Sequence, residues 1–269
     1  MRLSFIKMHG LGNDFVILDS RSEALPSLER TTRAALADRH TGIGCDQLIV
    51  LETSDAAGLR MRIFNPDGQE AGACGNAARA VGLLEGRAVR IETAGGLIQA
   101  QPDGGGISVN MGQPRFDWQD IPLAYPMNTA VMPVGWEELQ SPATVNVGNP
   151  HVIFFVEDAD TVPLERLGPL IEHDPLFPEG VNVNIAQVTG PDFLKLRVWE
   201  RGAGLTRACG TGACASAVAA LRRRLVSSPV TVALPGGELA ISWDGGGSLT
   251  MTGPAQESFR GTFELDHYL

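Results

Sequence analysis

The feature that most constrains this chain is an internal duplication. Segments of the first half recur in the second half, in the same order and at a nearly constant offset of 135 to 141 residues. The matching pairs are GNDFVI with GNPHVI, MRIFN with LRVWE, the Ala-Cys-Gly runs at Cys74 and Cys209, VRIETAGGLI with VTVALPGGEL, and DGGGISVNMG with DGGGSLTMTG. One such pair is weak evidence, but five in the same order indicate a tandem duplication. A chain of 269 residues is therefore predicted to form two similar domains of medium size.

Each copy is predicted to have a mixed α/β fold. Short runs rich in β-branched residues indicate strands, and the alanine-rich segment after each Ala-Cys-Gly run indicates a helix. The predicted strands are residues 48–51, 60–64, 89–93 and 107–111, with counterparts at 152–156, 193–199, 230–234 and 248–252. The predicted helices are residues 28–39, 74–85, 164–171 and 209–225. Each copy would then wrap its strands around the helix that its cysteine begins.

Several shorter signals place turns, a linker and a helix end. The pairs Gly95-Gly96 and Gly236-Gly237, and the two Asp-Gly-Gly-Gly runs, predict hairpin turns. Residues 114–126 lose regular periodicity, which predicts a linker between the copies. The arginine triplet at 222–224 ends the last predicted helix, where it would complement the negative end of the helix dipole.

Charge and composition exclude several classes of protein. With 21 basic and 31 acidic residues the formal net charge is −10, which argues against a nucleic acid or an anionic membrane surface as a partner. No apolar run approaches the roughly 20 residues of a membrane-spanning helix, and the first residues lack a secretion signal. Four cysteines without a C-x-x-C pair do not indicate a disulfide framework. We therefore expect a cytoplasmic protein with reduced thiols, and the sequence contains neither a cofactor motif nor metal-ligand spacing among its five histidines.

A cysteine at the start of a helix has a distinct chemistry. The first backbone N–H groups have no partner within the helix, and the macrodipole places positive potential on the thiol. An ordinary thiol has a pKa of about 8.5, and the helix start predicts a pKa closer to neutrality for Cys74 and Cys209. Such a group can both take and give a proton. Two of them on opposite faces of one carbon could remove a proton from one side and return one to the other, which inverts a stereocentre.

The same helix starts could stabilise the charge that this reaction creates. Removing the α-proton of an amino acid builds negative charge on its carboxylate, and backbone N–H groups at helix N-termini bind such charge. The groups expected to do so are those of Gly75, Asn76, Gly210 and Thr211. From its residues alone, the chain is therefore predicted to be a racemase or epimerase that needs no cofactor.

Seven motifs, in family order and over essentially the whole length, resemble those of the diaminopimelate epimerase family. They are MHGLGNDF (8–15), GIGCDQL (42–48), FNPDG (64–68), ACGN (73–76), GNPH (148–151), GVNVN (180–184), and WERGAG with ACGTGAC (199–214). The resemblance implies interconversion of L,L- and meso-diaminopimelate, in lysine and peptidoglycan biosynthesis, without pyridoxal phosphate and usually by a homodimer. It also implies an α/β (α+β) fold of two homologous pseudo-twofold domains, each a strongly curved, mostly antiparallel sheet around a central helix.

The resemblance assigns expected domain limits and site residues as well. The N-terminal domain would span residues 1–116, with a C-terminal strand at 255–269 returning to it, and the second domain would span 117–254. Cys74 and Cys209 match the pair that transfers protons, and His151 and Glu200 match supporting positions. The matched substrate-binding positions are Asn13, Gln47, Asn65, Gly75, Asn76, Asn149, Asn182, Glu200, Arg201, Gly210 and Thr211. Arg201 would bind the remote carboxylate of the substrate through its forked guanidinium.

Most of these positions also have a purely structural interpretation. The asparagines could be turn or capping residues, and Gln47 could be an ordinary polar residue of a strand. Glu200 and Arg201 could form a surface ion pair, and His151 could be a buried histidine with satisfied hydrogen bonds. Cys45 and Cys214 are interpreted as small buried apolar residues.

Three other functions remain compatible with parts of the sequence. A racemase or epimerase of proline, hydroxyproline or histidine could have the same architecture, although Arg201 favours a substrate with a charged far end. A thiol hydrolase would need only one cysteine with a base, which leaves the duplicated motif unexplained. A redox or metal-clipped binding protein could use Cys74 and Cys209 as a bridge. An assay under reducing conditions with several amino acids separates these alternatives.

Overall fold

A computed structural model describes residues 1–72 and 74–269 of the chain, so that Ala73, the first residue of the ACGN motif, lies outside the described residues. The chain forms two compact units. Unit 1 consists of Met1–Val109 with Gly253–Leu269, and unit 2 consists of Asn110–Thr252. In the part of the chain that the structure describes, no helix has the length and apolar character needed to cross a membrane.

Unit 1 is built from strands around two helices. Its elements are β1 (Arg2–Gly10), β2 (Asn13–Asp19), α1 (Arg30–Ala37), β3 (Gln47–Glu52), β4 (Leu59–Phe64), β5 (Glu70–Ala71), α2 (Gly75–Glu85), β6 (Val89–Thr93), β7 (Gly96–Asp103) and β8 (Gly106–Asn110). The C-terminal segment adds a long strand (Gln256–Glu264), numbered β19 in chain order, and a 3₁₀ turn (Leu265–His267). That last strand pairs antiparallel with β1.

Unit 2 repeats the pattern of unit 1. Its elements are β9 (Gly135–Trp136), β10 (Leu139–Gln140), β11 (Ala143–Asn146), β12 (Pro150–Phe155), α3 (Leu164–Glu172), β13 (Asn182–Gly190), β14 (Phe193–Glu200), β15 (Gly204–Thr206), α4 (Gly210–Arg222), β16 (Val230–Leu234), β17 (Gly237–Ser242) and β18 (Thr250–Gly253).

The strand pairing is the same in the two units. In unit 1, β2 is parallel to β3, β3 antiparallel to β4, β4 parallel to β6, and β6 antiparallel to β7. In unit 2 the same sequence of orientations joins β12, β13, β14, β16 and β17. A helix connects each parallel pair, as parallel strands require. The duplication in the sequence is therefore a duplication of one α/β topology, which confirms the predicted fold class.

The central helix of each unit is buried on nearly every face. Residues 75–82 of α2 and residues 212–220 of α4 are all buried, and most of them are alanine or glycine. Small residues let the surrounding strands approach closely. At Gly82, for example, an added Cβ would lie 2.7 Å from Cγ2 of Ile107. An alanine-rich helix packed against several strands is how each unit buries both the helix and one face of its strands.

The predicted elements are present, with corrections at their ends and some omissions. All four predicted helices form, and the two cysteines lie one residue before α2 and α4 rather than inside them. Strands β1, β2 and β13 were not predicted, whereas β19 lies within the C-terminal strand expected at 255–269. The segment predicted as a linker is irregular, yet Ile121 and Leu123 are buried in the core of unit 2 with residues of α3, so it is part of that unit.

The arginines at the end of α4 do more than complement a dipole, because the Arg222 guanidinium lies 3.9 Å from the centre of the Phe116 ring.

Candidate active site

Cys74 is the N-cap residue of α2. Its backbone is extended, with φ of −148° and ψ of 113°, and its Sγ accepts a hydrogen bond from the N–H of Ala77 at 3.4 Å. Side-chain oxygens are preferred at this position, so a thiol there is unusual. The N–H group of Ala77, which the thiol caps, is the third N–H group of the helix. The N–H groups of Gly75 and Asn76 come before it and point out of the helix start, which is the geometry that binds anions.

Asn13 has a fixed orientation beside Cys74. Its Nδ2 donates to Oδ2 of Asp46 at 3.0 Å, and its Oδ1 accepts from Nδ2 of Asn76 at 3.0 Å. A carboxylate only accepts hydrogen bonds, and this decides which end of the amide faces Asp46. The same Oδ1 lies 4.0 Å from Sγ of Cys74. Asp46, which the sequence did not single out, therefore directs the Asn13 oxygen toward the thiol.

Asp46 belongs to a charged cluster with Lys7, Asp14 and Arg39. Nη2 of Arg39 lies 2.6 Å from a carboxylate oxygen of each aspartate, and Nζ of Lys7 lies 2.5 Å from Asp14. Burial alone would raise the pKa of Asp14, but hydrogen bonds from Arg39 and Lys7 outweigh it and lower that pKa well below its usual value. The cluster thus fixes the segment that carries Asn13.

We expect Asp14→Asn to destabilise the protein by about 1 kcal/mol at pH 7, because it removes charge-assisted hydrogen bonds that are partly screened by solvent. The folded-state pKa is lowered, so the stabilisation is complete above the ordinary pKa of about 4 and is lost as the pH falls through the folded-state value. The gap between the unfolding midpoints of wild type and variant should therefore shrink below about pH 4. Chemical unfolding at a series of pH values measures it, with the exposed Asp55→Asn as the control. A gap that stays constant down to acidic pH would contradict the assignment.

Cys209 is the N-cap residue of α4, in the same way as Cys74 in α2. Its backbone is extended, with φ of −117° and ψ of 104°, and its Sγ accepts from the N–H of Gly212 at 3.3 Å. The hydroxyl of Thr211 lies 3.5 Å from the sulfur. An added Cβ on Gly212 would lie 2.7 Å from Oδ1 of Asn184 and 3.2 Å from the sulfur, so this glycine permits the close packing around the thiol. The prediction that each cysteine begins a helix is confirmed.

The predicted shift of the Cys209 pKa toward neutrality is wrong for this structure. Cys209 is only 3% exposed, and burial raises the pKa of its thiol well above the ordinary value. The negative charge of Glu200 acts in the same direction, while the hydrogen bonds from Thr211 and Gly212 act in the opposite one. Removing a thiolate from water costs more than the helix dipole returns. Cys209 is therefore protonated at neutral pH in the structure.

His151 lies fully buried beside Asn184, whose orientation is determined by the backbone. Nδ2 of Asn184 donates to the carbonyl oxygens of Val152 at 3.0 Å and Asn182 at 3.2 Å, and it also lies 3.1 Å from Nδ1 of His151. The amide group has two hydrogens for these three neighbours, so one hydrogen is shared between two of them; because an amide nitrogen does not accept, Nδ1 of His151 carries no proton. The proton of the imidazole is consequently on Nε2.

This tautomer in turn orients Asn149. Nε2 of His151 lies 2.9 Å from Oδ1 of Asn149, so the imidazole donates to the amide oxygen and the amide nitrogen faces away. Burial lowers the pKa of His151 to about 3, and the positive charge of Arg201 acts in the same direction. At neutral pH His151 is therefore a neutral group with one tautomer, and its contacts position Asn149 rather than supply a charge.

Glu200 and Arg201 lie where β14 ends. Oε1 of Glu200 accepts from the hydroxyl of Thr206 at 2.5 Å. The backbone N–H of Arg201 donates to Oδ1 of Asn182 at 3.0 Å, and its Nη1 donates to the carbonyl of Glu179 at 2.8 Å. The described hydrogen bonds of the guanidinium all use Nη1. Its Nε and Nη2 form the edge that binds a carboxylate in a forked geometry.

Asn182 is buried and makes contacts to the backbone. Its Nδ2 donates to the carbonyl of Pro150 at 2.8 Å, while its Oδ1 accepts from Arg201. These contacts agree with the capping interpretation, and substrate binding by Asn182 stays a prediction. The structure gives it a second task, because Asn182 connects the backbone N–H of Arg201 to the first residue of β12, Pro150.

Gln47 and Asn65 are brought together at the ends of two adjacent antiparallel strands, β3 and β4. Nε2 of Gln47 lies 3.4 Å from Oδ1 of Asn65. The backbone of Asn65 closes the turn that follows, since its N–H donates to the carbonyl of Gln69 and its carbonyl accepts from Gly68. The turn interpretation of Asn65 is therefore correct for its backbone, which leaves its side chain on the exposed side.

Within each unit the structure brings several predicted site residues together. In unit 1, Asn13 lies beside Cys74 and Asn76, and in unit 2 Glu200 and Thr211 lie beside Cys209. Gln47 and Asn65 lie together as a separate pair. Sequence reasoning missed Asp46 and Asn184, although both lie inside quoted motifs, GIGCDQL and GVNVN. Among the described residues, no three His, Cys, Asp or Glu side chains are grouped so as to hold a metal ion.

Comparison with protein families gives a match over most of the chain. The family model described as diaminopimelate epimerase matches residues 5–116 and 143–257. The chain belongs to the diaminopimelate epimerase family. Among similar family members, the diaminopimelate epimerase of Erythrobacter litoralis (strain HTCC2594) is 65% identical over 268 residues, covering 100% of both chains. That of Rhizorhabdus wittichii is 57% identical, covering 100% of this chain and 98% of the relative.

Solved structures share the fold of this family at low sequence identity. A phenazine biosynthesis protein of the PhzF family from Bacillus anthracis matches 98% of this chain and 99% of its own, with a TM-score of 0.72 and 16% identity. A hydroxyproline epimerase from Agrobacterium vitis matches 97% of this chain and 91% of its own, with a TM-score of 0.65 and 17% identity. At this identity the likeness is one of fold alone, and it agrees with the mixed α/β architecture of both units.

Proposed function

We propose that this chain interconverts L,L- and meso-diaminopimelate by moving one α-proton, without a cofactor. Members of its family are epimerases, a class of isomerase, and the 65% identity over the full length makes this the function best supported. The observation that carries the mechanism is the repeated helix start. Two thiols, Cys74 and Cys209, cap equivalent helices in two units of the same topology.

The reaction is proposed to use one thiol as base and the other as acid. The thiolate of one cysteine takes the α-proton, which leaves a planar carbanion on the substrate. The thiol of the other cysteine then gives its proton to the opposite face of that carbon. One S–H bond forms and one breaks, so protons balance, and the enzyme ends with its charge on the other sulfur. The reverse reaction exchanges the two roles.

The protonation state of Cys209 supports an assignment of the two thiols to acid and base at the start of the reaction. Because burial keeps the proton on Cys209, this residue is proposed as the acid in the first half-reaction, and Cys74 is proposed as the base. Cys74 is half-buried and has Ala77 N–H and Asn13 around its sulfur. A base that must release its proton before each turnover is better placed in contact with solvent.

The reacting carboxylate is proposed to bind at the two helix starts. The N–H groups of Gly75 and Asn76, and those of Gly210 and Thr211, are in the first turns of α2 and α4. Negative charge grows on the carboxylate as the α-proton leaves, and donors already in place stabilise it without reorganisation. Removal of one such donor typically costs about 10²–10³-fold in rate. Asn149, oriented by His151, adds an amide nitrogen that can donate to the same substrate.

The far end of the substrate is proposed to bind Arg201. Diaminopimelate carries an amino-acid group at both ends, and the Nε and Nη2 edge of Arg201 suits a carboxylate. A proline or hydroxyproline has no such far end, so this residue favours diaminopimelate over the cyclic substrates. From the family resemblance we further propose a cytoplasmic homodimer that acts in lysine and peptidoglycan biosynthesis and binds neither nucleic acid nor membrane.

The decisive experiment is incubation of the purified, reduced protein with L,L-diaminopimelate in deuterated water, with no added cofactor. We expect the meso isomer to form with solvent deuterium at the inverted α-carbon, because the thiol that acts as acid has exchanged its hydrogen with the solvent and delivers a deuteron. L-Proline, trans-4-hydroxyproline and L-histidine serve as comparison substrates and should not turn over. Inversion of one of these instead of diaminopimelate would reject the proposed substrate. Inversion without deuterium would reject the two-thiol mechanism.

A further inference from the structure

Glu172 is a buried acidic residue that the proposed mechanism does not use. It is the last residue of α3 and is 5% exposed. Burying an acidic side chain is costly unless hydrogen bonds compensate. The C-terminus of a helix carries negative potential, so the helix itself does not favour Glu172 there. Its burial must therefore be explained by the groups that donate hydrogen bonds to its carboxylate.

Both oxygens of Glu172 accept hydrogen bonds from residues that flank the candidate binding residues. Nε1 of Trp199 donates to Oε2 at 2.7 Å, and the backbone N–H of Gly202 donates to Oε1 at 2.8 Å. Trp199 comes directly before Glu200, and Gly202 comes directly after Arg201. One carboxyl group therefore holds both ends of the segment 199–202.

The packing around this segment leaves it little freedom. An added Cβ on Gly168 of α3 would lie 2.5 Å from the Trp199 ring, so the helix backbone lies directly against the indole. Gly202 has a φ of 74°, a left-handed conformation that favours glycine. The backbone N–H of Arg201 is held by Asn182 at 3.0 Å. Among the hydrogen bonds described for this segment, those to the Glu172 carboxylate connect its two ends, Trp199 and Gly202.

We propose that Glu172 is a positioning residue that sets the location of Arg201, and with it the recognition of the substrate's far carboxylate. The inference rests on the proposed function. Glu172 does not touch the substrate in this account; it acts through the segment 199–202. A displacement of about 1 Å in a binding group can cost roughly 10²-fold in rate, so a residue that fixes this segment has a measurable effect on catalysis.

The first test is Glu172→Gln, measured with L,L-diaminopimelate. A glutamine has one acceptor oxygen, so its amide nitrogen must face either the indole N–H or the Gly202 N–H, which are both donors. We expect kcat/KM to fall about 10-fold, mainly through a higher KM, since the far carboxylate is bound equally in the ground state and the transition state. Glu165→Gln, the same change at an exposed position of α3, is the matched control and should equal wild type.

A double-mutant cycle with Arg201→Lys separates positioning from general destabilisation. If Glu172 acts through Arg201, Glu172→Gln should lower kcat/KM less than about 2-fold in the Arg201→Lys background. The same fold-loss in both backgrounds, or no loss in the wild-type background, would overturn the proposal. Wild-type turnover in the same assay tests the proposed function separately: if wild type is inactive, that function fails, whereas an active wild type with an unaffected Glu172→Gln rejects only this inference.

A compensating variant guards against a Glu172→Gln protein that does not fold. Trp199→Phe removes the indole donor while Gly202 keeps its acceptor, and we expect a loss of about 3-fold to 10-fold in kcat/KM. In the Glu172→Gln, Trp199→Phe double variant, the glutamine oxygen can accept from Gly202 while its amide nitrogen no longer faces an N–H group. We expect this double variant to be more active than Glu172→Gln alone. If the fold-losses in kcat/KM of the two single variants simply multiply in the double variant, the assigned hydrogen bonds are contradicted.

Discussion

Cys74→Ala and Cys209→Ala are each expected to lower the rate of diaminopimelate inversion by about 10²–10⁴-fold, the usual contribution of a positioned acid or base. Each thiol is proposed to act on one face of the α-carbon, so neither can replace the other. Stopped assays of L,L-diaminopimelate consumption and of meso-diaminopimelate formation measure the loss. Cys45→Ala and Cys214→Ala change buried cysteines outside the candidate site and serve as controls. Neither control should alter the rate by more than a few-fold.

The same two variants should differ in which isomer they exchange with solvent. A variant with one remaining thiol can still remove and return a proton on the face that this thiol reaches. In deuterated water we therefore expect each single variant to incorporate deuterium into one isomer without inverting it, and the two variants to choose opposite configurations at the reacting carbon. Exchange of the same configuration by both would place both thiols on one side of the carbon and reject the mechanism. Efficient inversion by either variant would do the same.

Arg201→Lys is expected to lower kcat/KM for L,L-diaminopimelate by roughly 10-fold to 100-fold. A lysine keeps the charge but loses the forked pair of donors, and a hydrogen bond between charged groups contributes about 1.5–3 kcal/mol. Because the far carboxylate does not react, the loss should fall mostly on KM. Steady-state kinetics at saturating and subsaturating substrate measure the division between kcat and KM.

The control for this change is Arg224→Lys, an exposed arginine of the same unit. It should leave both constants at their wild-type values. If Arg201→Lys also left KM unchanged, the far end of the substrate would have to bind elsewhere. In that case the preference for diaminopimelate over cyclic amino acids would need another explanation, and the remaining polar positions, Gln47 and Asn65 among them, would be tested next.

The fold and the candidate site differ in how far the sequence predicts them. The helix starts at Cys74 and Cys209 were predictable because the same Ala-Cys-Gly run precedes an alanine-rich segment in both halves, and these are local signals. The strands β1 and β13 were not predicted. Strand β13 begins with two asparagines in its first three residues, Asn182 and Asn184, and asparagine is depleted in strands although both are buried here.

The hydrogen bonds of the site depend on register rather than on local sequence. Parallel pairing of β12 with β13 places His151 opposite Asn182, two residues before Asn184. That register delivers the Asn184 amide to Nδ1 of His151 and so determines the tautomer. A shift by one residue would turn every one of these side chains to the other face. No periodicity within either segment contains this information.

The sequence by itself determined the duplication, the α/β class, the cysteine at each central helix start and the motifs of the family. These follow from short-range preferences and from the order of motifs along the chain. Tertiary structure decided the state of the groups: the raised pKa of Cys209, the neutral His151, the Asp46 contact that orients Asn13, and Glu172 beside the segment of Arg201. The physical reason is that protonation and hydrogen-bond direction depend on burial and on partners about 30 residues away, which meet only when the sheet and its helices pack.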